Sequence, residues 1–233
     1  MRLGGLLKFS LIDYPGKVAA VVFTQGCNYR CPFCHNPELV LPDLFSEPLL
    51  VEEVLSFLEK RRGQLQGLAI TGGEPTLHHD LPDFIRAVKA KGFLVKLDTN
   101  GSNPKMLRLL IDEKLVDHIA MDIKSSLASY DHATGIKADT EALKASIELI
   151  KASGIEHEFR TTALKSIVSD ADMVAISSLI GPGEVYNLRR GNLKGKILDY
   201  AAFADKADYT DEEWTRMKKI YPDAPITGTD IDV

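Results

Sequence analysis

The only cysteines of the 233-residue sequence, Cys27, Cys31 and Cys34, stand together in one short stretch. Three thiolates can hold three irons of a cubic iron–sulfur cluster and leave the fourth iron open, whereas a cluster that only carries electrons takes a fourth cysteine. A structural zinc site takes four ligands, usually from paired Cys-x2-Cys hooks. His35 could supply a fourth ligand, but it directly follows Cys34, and adjacent residues rarely reach one ion. The pattern favours a cluster with an open iron, with a zinc site and inert buried thiols as alternatives.

A buried strand precedes these cysteines, and the rest of the chain repeats its pattern. Residues 18–24 form an unbroken apolar run with β-branched side chains, which is typical of a strand buried on both faces. Amphipathic stretches and further short apolar runs then alternate. We predict strands at residues 18–24, 67–71, 93–97, 116–121, 156–161 and 184–188, and helices at residues 52–61, 81–91, 104–113, 140–153, 170–179 and 211–220.

The alternation of six strands with helices predicts a parallel sheet with right-handed crossovers. Because an eightfold barrel typically needs about 250 residues, six repeats predict an α/β fold built as an incomplete, open (β/α)6 barrel of parallel strands. A flat doubly wound sheet is the structural alternative. We expect one domain over residues 1–233, with a core at residues 17–190 and an irregular segment and helix at residues 191–233.

Polar residues and glycines gather where the predicted strands end. In parallel α/β folds, ligands bind beyond the carboxyl ends of the strands, where loops from successive strands meet. The cysteine segment follows the first strand, and one further set follows each later strand. These sets are Gly72, Gly73, Glu74 and Pro75, then Asp98, Thr99 and Asn100, then Asp122 and Lys124, then Arg160, and last residues 187–190. The sequence therefore predicts one shared site at this edge of the sheet.

Charge and hydropathy narrow the classes of partner. The net charge of -5 gives no footprint for binding phosphates, so we expect no nucleic-acid partner. No apolar run approaches membrane-spanning length, and the N-terminal residues do not resemble a signal peptide, so we expect a cytoplasmic protein without membrane association. An odd number of closely spaced cysteines without a secretion signal argues for metal or catalytic use rather than for disulfides.

The spacing Cys27-x3-Cys31-x-Phe33-Cys34 resembles the signature of the radical S-adenosylmethionine (SAM) enzymes. The resemblance implies that the three cysteines bind a [4Fe–4S] cluster whose open iron is chelated by the methionine moiety of SAM. The stretch Gly72-Gly73-Glu74-Pro75 resembles the second-strand motif of this family, which implies that its backbone and its glutamate approach the amino group of SAM. Glycine permits such a close backbone approach.

The resemblance also assigns cofactor-binding residues to later strands. Asp98, Thr99 and Asn100 match the stretch that in glycyl-radical activases meets the ribose of SAM and a monovalent cation. Asp122 and Lys124 match the Asp-x-Lys of the same activases, which implies that Asp122 completes the cation site and that Lys124 neutralises a carboxylate. Without the resemblance, Asp98 could be a turn former and Lys124 a solvated surface charge.

Three further residues complete the expected cofactor site. Arg160 corresponds by place to a fifth-strand arginine that faces the cofactor, although an isolated arginine is by default a solvated surface charge. Phe33 is expected beside the adenine, and Asn36, which closely follows the last cysteine, is expected to contact the cofactor.

Three segments resemble the activating proteins of anaerobic ribonucleoside-triphosphate reductase: residues 9–17 (Phe-Ser-Leu-Ile-Asp-Tyr-Pro-Gly-Lys), Gln25-Gly26-Cys27-Asn28 and Cys34-His35-Asn36-Pro37. This resemblance implies an enzyme that reductively cleaves SAM to a 5′-deoxyadenosyl radical, which takes a hydrogen from a glycine Cα of the reductase and leaves a glycyl radical. The implied partners are the glycine-bearing loop of the reductase and an electron donor such as flavodoxin or ferredoxin. Alternatives are radical SAM action on another glycyl-radical enzyme, a small molecule or a peptide, and a non-catalytic iron–sulfur or zinc module.

Overall fold

The computed structural model describes residues 1–203 and 207–220, and its centre is one sheet of seven strands. From β1 to β7 the strands are Leu3–Ser10, Ala19–Thr24, Gly67–Gly72, Leu94–Thr99, His118–Asp122, Glu156–Ala163 and Tyr186–Arg190. From α1 to α8 the helices are Pro37–Val40, Val51–Lys60, Leu81–Ala90, Pro104–Asp112, Tyr130–Thr134, Thr140–Ala152, Asp170–Ile180 and Asp211–Lys218. The part of the predicted 191–233 segment at residues 204–206 and 221–233 lies outside the described residues.

The strands lie in the order β1-β2-β3-β4-β5-β6-β7, and every neighbouring pair from β2 to β7 is parallel. Each connection between two of these parallel strands carries at least one helix, as a parallel crossover requires. β1 and β7 stand at the two ends of the sheet and do not pair with each other in the described residues. The predicted α/β fold, an incomplete (β/α)6 barrel of parallel strands, is confirmed.

The first strand, β1, is absent from the sequence-based prediction, which has six strands. It runs antiparallel to β2, with Leu3 opposite Thr24, and its register shifts twice. Gly4 and Gly5 are poor strand formers, and the side chain of Leu7 is exposed. The alternation of apolar and polar residues that marks a half-buried strand is therefore missing from this stretch.

A single hydrophobic core joins the sheet to its helices, and it includes Leu97, Ile119 and Phe159 from three neighbouring strands. Successive side chains of a strand point to opposite faces, so the residues beside these three face the interior of the barrel. Apart from Ala120, those interior residues are polar: Lys96, Asp98, His118, Glu158 and Arg160. Along β4, β5 and β6 the barrel therefore has an apolar outer face under its helices and a mostly charged interior.

Tyr14 closes the amino end of the barrel. Its side chain is buried, its ring centroid lies 5.9 Å from that of His118, and a Cβ atom at Gly67 would collide with it. The turn that carries Tyr14 precedes β2, whereas the cysteine loop follows β2. Residues 13–16 thus lie at the opposite end of the sheet from the cysteines.

Residues 191–203 and 207–209, which lie in the segment predicted to be irregular, form no helix or strand apart from a 3-10 turn at Ala201–Phe203. Helix α8 then begins at Asp211, and the hydroxyl of its N-cap residue Thr210 accepts the N–H of Glu213 in a capping box. Within residues 1–203 and 207–220, no helix has the length and apolar content needed to cross a membrane.

Candidate functional site

The cysteine loop begins where β2 ends, and the backbone of the next strand fixes it in place. The N–H of Gly73 donates to the carbonyl of Thr24 at 2.8 Å, and the N–H of Glu74 donates to the carbonyl of Gly26 at 2.8 Å. A side chain at Gly72 or Gly73 would overlap with the backbone of Thr24 or Gly26, and Gly72 has a φ of 119°. The glycines are therefore required for the packing of these two loops, which is separate from their expected approach to SAM.

The three thiols are largely buried in this loop, and burial raises their pKa values. The pKa rises to about 11 for Cys27 and to about 12 for Cys31, and the pKa of Cys34 is raised as well. Each thiol must therefore lose a proton to bind iron. Among the described residues, no three His, Cys, Asp or Glu side chains form a site for a single metal ion, whereas the cysteines of a [4Fe–4S] cluster each bind a different iron.

The surroundings of the thiols nevertheless suit thiolates. The N–H of Tyr29 points at the sulfur of Cys27 at 3.4 Å. Burial is the largest influence on the pKa of each thiol, but the N–H of Asn36 acts against it at Cys34, and the charge of Lys124 acts against it at all three. Because N–H donors and a nearby cation stabilise sulfur anions, these residues fit a [4Fe–4S] cluster held by three thiolates.

Arg30 holds the loop in shape, although the sequence analysis did not single it out. Its Nη1 atom donates to the carbonyls of Cys27 and Tyr29, both at 2.7 Å. Its backbone N–H donates to the carbonyl of Thr134 at 2.8 Å, and the ring of Tyr29 packs edge-on against Tyr130. Arg30 could have been identified as a structural residue because it is a basic residue inside a loop that is otherwise mostly buried.

The Glu74 carboxylate is fully buried and bonds to its own protein. Its Oε1 atom accepts the N–H of Thr76 at 3.1 Å and the hydroxyl of Thr99 at 2.8 Å, and its Oε2 atom accepts the N–H of Asn100 at 2.6 Å. The expected contact between this carboxylate and the amino group of SAM stays a prediction. Glu74 ties the loop after β3 to the loop after β4, and buried Pro75 opens a 3-10 turn behind it.

Thr99 and Asn100, also buried, lie where β4 ends and connect it to the neighbouring loops. The Nδ2 atom of Asn100 donates to Oδ1 of Asn28 at 2.9 Å and lies 4.0 Å from the sulfur of Cys27. The structure thus places Asn100 beside the first cysteine, as its position at the strand end predicts, and Thr99 against Glu74. Their contact with the ribose of SAM stays a prediction.

Asp98 lies between two cations inside the barrel. The ammonium of Lys96 donates to its Oδ1 atom, and Nη1 of Arg160 donates to its Oδ2 atom at 3.2 Å. Burial raises the pKa of the Asp98 carboxyl, but the charges of Arg160 and Lys96 outweigh it and hold that pKa below its ordinary value. Lys96 was not among the expected site residues. The sequence feature that could have identified it is a charged residue among the first four residues of β4, of which the other three are apolar.

Arg160 connects Asp98 to Asp122 on the neighbouring strand, where Asp122 and Arg160 stand opposite each other. Its Nε atom donates to Oδ1 of Asp122 at 2.8 Å, and the ammonium of Lys124 donates to Oδ2 of Asp122 at 3.0 Å. Burial opposes ionisation of Asp122, but the charges of Arg160 and Lys124 prevail and lower the pKa of its carboxyl. Arg160 and Lys124 are therefore partners in an enclosed charge cluster and not solvated surface charges.

Phe33, Asn36 and His35 take three different environments. Phe33 is buried in the hydrophobic core, and Asn36 is exposed just before α1 without capping that helix through its side chain. Nε2 of His35 lies 2.9 Å from the carbonyl of Asn192, so His35 faces the C-terminal segment. The adenine contact of Phe33 and the cofactor contact of Asn36 stay predictions.

The segment after β7 returns across the barrel to the cysteine loop, a contact that the sequence did not reveal. The N–H of Leu198 donates to the carbonyl of Cys34 at 2.9 Å, and the N–H of Asp199 donates to the carbonyl of Pro32 at 3.0 Å. β7 and the β1–β2 pair are at opposite ends of the sheet. Residues 192–199 therefore bridge the gap that the incomplete barrel leaves open.

Comparison with known proteins agrees with this geometry. The family model of the radical SAM superfamily matches residues 21–176. A protein of Methanocaldococcus jannaschii that bears the name of a glycyl-radical enzyme activating enzyme is 33% identical over 193 residues, which cover 81% of this chain and 79% of that protein. The pyruvate formate-lyase-activating enzyme of Streptococcus mutans is 34% identical over 135 residues, which cover 50% of this chain and 48% of that enzyme.

Solved structures share the fold. A radical SAM methyltransferase from Sphaerobacter thermophilus superimposes with a TM-score of 0.67 at 18% identity, over 94% of this chain and 69% of that chain. A domain of a pyruvate-formate lyase-activating enzyme from Bacteroides vulgatus gives a TM-score of 0.52 at 19% identity, over 70% of this chain and 99% of that domain. At these identities the likeness concerns the fold alone. The family match includes all three cysteines, and with the similarity over most of the chain it shows that this protein belongs to the radical SAM superfamily, among its glycyl-radical enzyme activating enzymes.

Proposed function

We propose that this enzyme generates the glycyl radical of an anaerobic ribonucleoside-triphosphate reductase. One observation supports the radical chemistry. The cysteine loop lies next to the charge cluster at one end of the barrel, and this cluster consists of Asp98, Asp122, Lys124 and Arg160. The choice of this reductase is supported by the resemblance of residues 9–17 to its activating proteins.

The cofactors and the chain contribute different parts of the reaction. When bound, the reduced [4Fe–4S] cluster and SAM supply a 5′-deoxyadenosyl radical that removes one hydrogen atom from the target glycine. Cys27, Cys31 and Cys34 hold the cluster as thiolates. The ammonium of Lys124, close enough to lower the pKa of each thiol, provides the positive charge that pairs with a carboxylate bound beside the cluster.

A protein substrate needs a path to this site. The described sheet leaves β1 and β7 apart, and residues 192–199 are the bridge that spans the space between them. A loop of the reductase can approach the strand ends beside this bridge, where a closed eight-stranded barrel would leave less room. Glycine suits as the target because it has no side chain to block the approach of its Cα.

Reduction of the cluster requires an outside electron donor. The sequence contains no cysteines beyond the three of the loop, so it holds no ligands for a second cluster of the cysteine type. We therefore propose that a small redox protein of the flavodoxin or ferredoxin class delivers the electron.

The test uses the cluster-reconstituted enzyme under anaerobic conditions with a reductant, SAM and the reductase. We expect 5′-deoxyadenosine by chromatography and a glycyl radical signal on the reductase by electron paramagnetic resonance. A reductase whose target glycine is replaced by alanine is the control and gives no such signal. Absence of 5′-deoxyadenosine under every condition would overturn the enzymatic assignment.

A parallel reaction with pyruvate formate-lyase separates the candidate targets. A glycyl radical on that enzyme and none on the reductase would overturn the proposed target but keep the activase assignment. Formation of 5′-deoxyadenosine without a radical on either protein would favour a small molecule or a peptide as substrate.

A further inference from the structure

We propose that the ammonium of Lys96 takes the place of a monovalent metal ion beside Asp98, so that SAM binding by this chain does not depend on Na⁺ or K⁺. The family resemblance implies such an ion between Asp98 and Asp122. The contacts and charges of Asp98, Asp122 and their neighbours do not suit a bound monovalent ion. The proposal rests on the SAM site of the proposed function and goes beyond it.

Each carboxylate oxygen of Asp98 and Asp122 already accepts a hydrogen bond from a positively charged donor. The donors are Lys96 and Arg160 at Asp98, and Arg160 and Lys124 at Asp122. A hard cation is bound by oxygen ligands, so it would have to share these oxygens with a like charge or displace that donor. The Lys96 side chain is 2% exposed, so its ammonium has no route to solvent and stays with Asp98.

Without the cofactor, the charges of this cluster are also balanced in the absence of an ion. Three positive groups, Lys96, Lys124 and Arg160, face three carboxylates, Asp98, Asp122 and Glu158, and the last of these lies 3.9 Å from Arg160. His118 adds no charge, because burial, and then the charge of Lys96, lowers the pKa of its ring. A further cation would leave an unbalanced positive charge beside Asp98, whose side chain is only 16% exposed, and this costs free energy.

Lys96 acts as a positioning residue in this arrangement. It sits two residues before Asp98 on β4, on the same face of the strand, and holds one carboxylate oxygen while Arg160 holds the other. The carboxylate is thereby fixed at the strand end directly before Thr99 and Asn100, which contact Glu74 and the cysteine loop. Loss of the ammonium would free one oxygen of Asp98 and leave a space of the size that a small cation can enter.

The test compares SAM binding in chloride salts of K⁺, Na⁺ and tetramethylammonium at equal ionic strength, with the cluster-reconstituted protein. The wild-type dissociation constant should change by less than about twofold, because an ion that does not bind cannot shift the equilibrium. The Lys96→Ser variant should bind SAM roughly tenfold more weakly in tetramethylammonium, the loss expected for one charge-assisted hydrogen bond, and should regain affinity in K⁺ or Na⁺. A several-fold gain of wild-type affinity in K⁺ or Na⁺ would overturn the proposal, as would unchanged SAM affinity of the variant.

A second readout needs neither SAM nor the reductase. The thermal unfolding midpoint of the cluster-free Lys96→Ser variant should rise in K⁺ or Na⁺ relative to tetramethylammonium, and the wild-type midpoint should not. Lys89→Met is the matched control, because Lys89 pairs with Asp117 at 2.7 Å outside the site and its loss should create no ion dependence. Should Lys96→Ser fail to fold, Lys96→Met removes the charge at similar volume and should be destabilised equally in all three salts; ion-dependent stability of Lys96→Met would contradict the proposal.

The two proposals can fail separately. Glycyl radical formation on a different partner, with ion-independent SAM binding, would reject the reductase and keep the role of Lys96. Radical formation on the reductase together with strong K⁺ dependence of the wild-type protein would do the reverse.

Discussion

The hydroxyl of Thr99 donates to the carboxylate of Glu74 at 2.8 Å, in a position with no access to solvent. This bond joins the end of β4 to the loop after β3, and the N–H of Asn100 adds a second bond to the same carboxylate. Through Asn100 the network reaches Asn28 in the cysteine loop. A single buried carboxylate therefore aligns three successive loops of the site.

Replacement of this carboxylate should damage both folding and SAM binding. In Glu74→Gln, an NH2 group takes the place of one carboxylate oxygen. This group cannot accept a hydrogen bond, so at least one buried donor loses its partner. We expect a loss of about 2–4 kcal/mol in the free energy of unfolding, measured by urea denaturation. The exposed Glu52→Gln variant in α2 is the control and should unfold as the wild type does. Wild-type stability of Glu74→Gln would contradict the proposed network.

Arg160 should make the stability of the protein depend on acidity. The pKa values of Asp98 and Asp122 are lowered because, against the effect of burial, Arg160 and its neighbouring lysines favour the ionised forms. A carboxyl with a lowered pKa in the folded state stabilises the fold above its unfolded pKa of about 3.9, and this contribution is lost as the pH falls through the folded value. At neutral pH the ionised carboxylates of Asp98 and Asp122 therefore make their full contribution to the free energy of unfolding.

The variant Arg160→Met tests this relation. We expect a loss of about 3–5 kcal/mol at pH 7, because two buried carboxylates lose a partner, and a smaller difference from the wild type as the solution is acidified below about pH 4. Urea denaturation over a series of pH values measures it. Arg86→Met, on the exposed face of α3, should leave the pH profile unchanged. A constant difference across the series would show that Arg160 acts through packing instead of charge.

Cys31 should be indispensable for the cluster. It is the most buried of the three thiols, at 8% exposure, and it lies between the other two in the loop. Anaerobically reconstituted Cys31→Ala should lose the iron content and the visible absorbance of the open-site cluster, because two thiolates cannot hold three corners of it. The His35→Ala variant should keep both, since His35 contacts Asn192. Retained SAM cleavage by Cys31→Ala would contradict the ligand assignment.

The bridge from residues 192–199 should protect the cluster. Proline at position 198 removes the N–H that donates to the carbonyl of Cys34, whereas Leu198→Ala keeps it. We expect cluster absorbance to decay several-fold faster in air for Leu198→Pro than for Leu198→Ala, with similar initial iron content. Equal decay of the two variants would show that this hydrogen bond does not shield the cluster.

The sequence predicts the six parallel strands and the shared site because both depend on local signals. A run such as Ala19–Thr24 is buried on both faces and is recognisable by its composition, and each polar set stands directly after a strand. The position of Asp98, Asp122 and Arg160 around one cluster follows from the parallel register alone.

The parts that the sequence does not predict depend on contacts between distant segments. The bonds of Glu74 are made with donors from two loops, and a Gly-Gly-Glu-Pro stretch carries no sign of which groups its carboxylate will meet. The role of Lys96 could not be predicted because a lysine in a strand normally indicates an exposed face. Pro15 and Gly16 are typical of a turn, but nothing in the sequence indicates that the neighbouring Tyr14 closes the barrel.

The bonds between the cysteine loop and the segment after β7 also set an order of events during synthesis. The carbonyls of Pro32 and Cys34 meet N–H groups of Asp199 and Leu198, which leave the ribosome only after all seven strands. Chains emerge from the N-terminus and fold as units, so the cysteine loop cannot reach its final enclosure until Leu198 and Asp199 have emerged. The loop therefore stays more accessible while the seven strands are being made and closes after them.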